Sequence, residues 1–164
     1  MDGEDVSTAS SIRPARSSAQ TLAMLAGVVL IGLGILGFVP GITQQLDKIR
    51  FGGPDSDADL LGLAHVSVLL NVFRILIGAA GVAMSRSSRS ARRFLLGAGL
   101  LHLVATVYGV SIDQASQANF MPVNKEGNWL HFVLGILLLL FAVLSWRSAT
   151  AAPAASALPA DTGQ

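Results

Sequence analysis

The chain has 164 residues, 52% of them hydrophobic and only 13% charged, with a mean hydropathy of +0.60. Soluble domains carry roughly 25% charged residues, so this composition excludes an ordinary soluble enzyme and a disordered protein. A net charge of +1 leaves no cationic surplus for nucleic acid, and the absence of cysteine excludes disulfides, thiolate metal sites and thiol catalysis.

Residues 1–19, rich in Ser, Ala and acidic groups, have no helical periodicity and read as a disordered tail. A membrane helix needs roughly 20 mostly apolar residues, and four segments come close. The first span, residues 21–39, carries no charge. It is longer than the roughly 7–15-residue apolar region of a signal peptide, and Pro40-Gly41-Ile42-Thr43-Gln44 offers no cleavage site, so it reads as a retained helix. Residues 60–84 form the second span, interrupted only by Arg74. The third covers residues 94–112 and the fourth residues 129–146, with a tryptophan at each end suited to the bilayer interface. Residues 147–164, mostly Ala, Pro and Thr, read as a second disordered tail. The expected fold is therefore an all-α integral membrane protein with four transmembrane helices.

Orientation follows the basic residues flanking the spans. Arg13, Arg16, Arg86, Arg89, Arg92, Arg93 and Arg147 fall on one side, Lys48, Arg50 and Lys125 on the other. Both tails and the 85–93 turn are expected in the cytoplasm, loops 40–59 and 113–128 outside. Nine arginines against two lysines, with abundant alanine, point to a GC-rich bacterial genome and hence a bacterial cell membrane.

The chain carries an internal echo. Asn71-Val72-Phe73-Arg74-Ile75-Leu76-Ile77-Gly78 in span two matches Asn128-Trp129-Leu130-His131-Phe132-Val133-Leu134-Gly135 in span four, as Asn-x-x-(basic or imidazole)-x-x-x-Gly. Spans one and three echo each other through Ala26-Gly27 with Gly37 and Ala98-Gly99 with Gly109. A duplicated two-helix unit is expected, its halves related by an axis along the membrane normal. At 100° per residue, Asn71, Arg74 and Gly78 share one helix face, and Asn128, His131 and Gly135 another. Small residues at such intervals let backbones approach closely in lipid, with polar side chains bonding across the seam.

The candidate interhelical or ligand-binding residues are Asn71, Arg74, His102, Asn128 and His131. Arg74, read near the bilayer midplane, has no carboxylate in any span to pair with. A central arginine costs about 2.5–3.5 kcal/mol on insertion scales and usually faces protein or water. Two readings follow: an anionic ligand answers the charge, or the side chain snorkels towards the cytoplasmic side. His102 lies mid-span on a small-residue face. His65 and His131, nearer the outer surface with Asp59 and Asp113, have the donor types for a metal or for two axial haem ligands, but no metal-ligand spacing such as His-x-x-x-His. Neither a Gly-x-Ser-x-Gly elbow nor a pair of intramembrane carboxylates is present. The function expected is that of a non-catalytic membrane protein associating through its small-residue faces; the alternatives are a transporter or sensor that binds an anion or small polar molecule near Arg74, Asn71 and His102, and a haem-dependent redox protein using His65 and His131. No metal, cofactor or catalytic residue is expected on the first reading. The expected partners are the lipid bilayer and, through the small-residue faces, a second copy or another membrane protein.

Gly37-Phe38-Val39-Pro40-Gly41-Ile42-Thr43, Leu60-Leu61-Gly62-Leu63, and above all Asn119-Phe120-Met121-Pro122-Val123-Asn124 followed by Asn128-Trp129-Leu130-His131 resemble an actinobacterial membrane family known as domain of unknown function 4383. The resemblance covers about residues 20–146 and implies a four-helix integral membrane protein with no assigned activity. In that family the span-two motif reads His-Asn-x-x-His; here the two histidine positions hold Leu70 and Arg74.

Overall fold

A computed structural model describes residues 16–150, with side chains to Arg147. The tails expected at the two ends lie largely outside these residues. Among the described residues there are four helices: α1 (Ser18–Leu36), α2 (Val68–Met84), α3 (Ser88–Ser111) and α4 (Lys125–Thr150). Between α1 and α2 lie strands β1 (Thr43–Gln44), β2 (Ala58–Leu60) and β3 (Ala64–Val66), with a single 3₁₀ turn at Leu46–Lys48.

Local chemistry sets the helix starts. Ser17 accepts from Gln20 N–H while the Gln20 side chain accepts from Ser17 N–H, a reciprocal capping box. Ser67 caps α2 through Leu70 N–H, and Ser87 caps α3 through Ser90 N–H. For α4 the cap is Asn124, whose Oδ1 accepts from Gly127 N–H at 2.9 Å. Each cap satisfies one of the backbone donors that a helix start leaves open.

The expectation of an all-α chain is corrected by the sheet. Residues 60–67, read as the start of span two, instead form a hairpin in which Asp59 pairs with His65 and Leu60 with Ala64. Leu61 and Gly62 turn the chain with positive φ of 56° and 69°. Ala58, Leu60 and Val66 are buried and pack against Leu33, Leu36, Ile42 and Ile49, so the apolar run covers the end of α1 rather than lengthening α2. Buried Ser56 closes the sheet by donating to Val66 O and accepting from Arg50 N–H. The 85–93 connection is also shorter than expected, since Arg89, Arg92 and Arg93 lie in the first turns of α3.

α1, α3 and α4 are long and apolar enough to cross a membrane. α2, with 17 residues, is shorter and spans about 25 Å at 1.5 Å per residue. Large side chains such as Leu25, Leu76, Val104, Val107, Trp129 and Leu140 point outward, while the buried faces are rich in Gly, Ala and polar groups. This distribution suits a protein solvated by lipid, in which close packing rather than the hydrophobic effect joins the helices. Three apolar helices of this length suggest a membrane-embedded protein.

The helices pack chiefly as two pairs, α1 with α2 and α3 with α4; α1 and α3 also meet, whereas α2 and α4 stand apart. At one end of the bundle, Ser17 Oγ lies 2.8 Å from Ser88 Oγ and Gln20 Nε2 donates to Arg86 O. At the other, the sheet segment is tied to the α3–α4 loop by Gly53 N–H donating to Phe120 O.

Candidate functional site

Glycine sets how closely each pair packs. A Cβ on Gly27 would lie 2.6 Å from Gly78 O, and one on Gly99 would lie 3.1 Å from Gly135 O. Nearer the sheet end, Gly37 packs on the Asn71 side chain and Gly109 on the Asn128 side chain. The same contacts thus recur in the same register, Gly27–Gly78 and Gly37–Asn71 in one pair, Gly99–Gly135 and Gly109–Asn128 in the other. The sequence echo corresponds to duplicated packing, and the small-residue faces meet inside the chain.

Register carries over to the gap between the pairs. Arg74 and His131 both stand three residues after the matched asparagines, and Leu30 and His102 three residues after Gly27 and Gly99. All four line one cavity of about 270 Å³ enclosed by all four helices, Leu30 coming from α1. Of the five candidate residues, Arg74, His102 and His131 therefore converge on one site. Asn71 supports it from beside Arg74. Asn128 does not line it: its side chain sits in the α3–α4 seam and borders a second groove, of about 720 Å³, with Asp113 and Lys125.

Arg74 is 5% exposed, and its Nη1 donates to Asn71 Oδ1 at 3.4 Å. Among the described residues no carboxylate forms an ion pair with it; the one such contact shown is His65 Nδ1 with Asp59 Oδ1, 2.6 Å, on the sheet. Two expectations about Arg74 are corrected. It stands six residues into α2, about 9 Å from the sheet end of that helix, rather than past the middle of a longer one. Its head is buried rather than snorkelling.

The His102 and His131 rings lie 5.4 Å apart. His102 Nδ1–H donates to Ala98 O at 2.9 Å, which leaves its Nε2 as an acceptor. His131 is buried, and its Nδ1 has no hydrogen-bond partner among the described residues. The imidazole that meets His131 is therefore His102, while His65 is engaged by Asp59. Among the described residues no group of three or more His, Cys, Asp or Glu could hold a metal ion.

Residues 118–123 roof the cavity, a role the sequence reading missed. Asn119 is buried, and its Nδ2 donates to Gln114 O and Val123 O while its Oδ1 accepts from Val123 N–H. Tyr108 Oη donates to Ala118 O, and its ring meets Phe120 edge-on at 5.5 Å. Asn124 Nδ2 reaches the sheet through Leu63 O. The signal was present in Asn119-Phe120-Met121-Pro122-Val123-Asn124: its asparagines fold the loop and cap α4, and Phe120, Met121 and Val123 face the cavity.

The rest of the lining is apolar apart from the hydroxyl of Tyr108, which is spent on Ala118 O. A site with one buried guanidinium, two imidazoles and aliphatic or aromatic walls can bind and orient a ligand, and no carboxylate among the described residues lines it.

The family described as "Domain of unknown function (DUF4383)" matches residues 20–144. No curated protein and no solved structure matches the chain.

Proposed function

The chain belongs to the DUF4383 family, whose function is unassigned, and we propose that it is a four-span, non-catalytic membrane protein that binds a small anion at Arg74. The observation that carries this reading is a guanidinium 5% exposed, bordering a cavity, with an amide as its bonded partner and no carboxylate among the described residues. A charge buried without compensation is costly, and an anion supplies what the fold does not. Guanidinium also suits a carboxylate or similar oxyanion, which it can grip through two parallel N–H bonds. The contacts between matched glycines favour association through the small-residue faces within the chain, between the helices of each pair.

The test is the thermal midpoint of the detergent-purified full chain at constant ionic strength, with acetate, nitrate or chloride replacing gluconate, a carboxylate whose five-hydroxyl chain the apolar walls exclude. The midpoint is expected to depend on the anion, to be indifferent to exchange of sodium for potassium, and to lose its anion dependence in Arg74→Gln. A folded wild-type protein that is indifferent to all these anions contradicts the reading.

The orientation proposed is that of a bacterial cell membrane protein with both termini and the Arg-rich turn in the cytoplasm, the sheet and roof outside. The cluster of Arg86, Arg89, Arg92 and Arg93 at one end supports it. α2, at the lower limit of spanning length, crosses in this topology with its Ser67 cap near the outer interface. Reporter fusions at Gln45 and Ser88 should give an external and an internal signal respectively. An external signal at Ser88 reverses the topology.

A further inference from the structure

We propose that the ligand at Arg74 is a fatty carboxylate that enters from the bilayer between α2 and α3; this rests on the anion reading above. Size is the first argument. At about 270 Å³ the cavity is smaller than the roughly 300–1,000 Å³ pockets that hold drug-sized molecules. It would still take several waters at roughly 30 Å³ each.

Wall chemistry narrows the choice. A bound water needs two to four polar partners. Beyond Arg74, His102 and His131 the walls are almost entirely apolar, including Leu70, Phe73 and Val104. An inorganic anion would bring hydration into a space that cannot satisfy it. A carboxylate on an alkyl chain needs polar partners at one end only.

Charge gives the valence. Among the described residues Arg74 is the one cationic side chain on the cavity wall, and no acidic side chain accompanies it. One full charge matches a monoanion, whereas an ammonium or a dianion would be left uncompensated. His131, with Nδ1 unpartnered, retains a hydrogen-bonding position, while His102 presents an acceptor and does not compete for the carboxylate.

Access gives the route. The polar end is buried, but Phe73, Leu101, Val104 and Phe120 are 39%, 38%, 64% and 55% exposed on the side of the bundle. In lipid these positions face acyl chains, so a ligand tail can leave the cavity sideways without meeting water.

The experiment compares acetate, butyrate, octanoate, octanol and octyltrimethylammonium on the detergent-purified full chain, reading the midpoint shift as a function of concentration. Affinity is expected to rise roughly fourfold per methylene buried from acetate upward until the cavity is filled. Octanol and octyltrimethylammonium should not reproduce the octanoate shift, and Arg74→Leu should abolish it. Octanoate no tighter than acetate or chloride overturns the fatty-carboxylate assignment and leaves the anion site standing. Indifference of the wild type to every anion overturns both. Equal octanoate shifts in wild type and Arg74→Leu show a detergent effect and overturn the assignment.

Discussion

Gly78→Val is expected to part α1 from α2 and lower the thermal midpoint more than any other single change along the helix seams. The Cβ it introduces would lie 2.5 Å from Gly27 O and 2.8 Å from Ile31 N, both backbone atoms that cannot rotate away. Overpacking of this kind typically costs about 1–3 kcal/mol, and the β-branched side chain adds to the displacement. Gly99 differs in kind, because its nearest neighbour is the flexible side chain of Leu139 at 2.8 Å; Gly99→Ala should cost less than Gly78→Ala. The fold also supplies its own control. A Cβ at Gly97 meets nothing within 4 Å, and Gly97→Ala should be neutral or gain the roughly 0.5–1 kcal/mol of helix propensity. Thermal unfolding followed by circular dichroism in detergent checks all four variants. Equal midpoints for Gly78→Ala and Gly97→Ala would show that the α1–α2 seam is looser than described.

Arg74→Leu should have two effects of opposite sign. In buffer without a binding anion the variant loses an uncompensated buried charge. Replacement of buried charged groups by well-packed apolar ones is often neutral or stabilising by about 1–4 kcal/mol. Against that stands Asn71, which loses the donor to its Oδ1 and already carries an unpartnered Nδ2; an unsatisfied buried acceptor costs about 1–3 kcal/mol. The net expectation is an anion-free midpoint at or above that of wild type, so the variant remains folded. Saturating anion should then raise the wild-type midpoint and leave the variant unmoved. A variant that unfolds at lower temperature in both conditions would mark Arg74 as a packing residue. Arg74→Lys separates charge from geometry, because lysine keeps the charge and loses the planar fork; a weaker but measurable anion response is expected from it.

The four helices and their pairing were legible because apolar length and the Asn-x-x-x-x-x-x-Gly echo are local signals. The echo of Gly27 and Gly37 in Gly99 and Gly109, faint as a pattern, proved to be the same packing repeated. The sheet was not legible. Leu60 to Val66 is an apolar run beside a span, with Gly62 as its main turn signal, and its strand conformation is decided by packing on the end of α1. That misreading displaced Arg74, whose depth depends on where α2 begins. Convergence of Arg74, His102 and His131 could be suspected from shared faces, but the cavity arises because α2 and α4 stand apart, a fact of helix order that no local pattern contains. Asn128 shares the register of Asn71 yet serves the seam on Gly109 and the outer groove. Matched position carried packing from one half to the other, but did not carry a place at the site.

The most direct measurement is a nitrogen–carbon dipolar contact in the lipid-reconstituted full chain, between ¹⁵N-guanidinium-labelled arginine and ¹³C-carboxyl-labelled octanoate. A short-range contact is expected in wild type and is lost in Arg74→Leu, where the other eight arginines keep their labels. A contact that survives the substitution, or none at saturating octanoate in a folded wild-type protein, would contradict a fatty carboxylate held at Arg74.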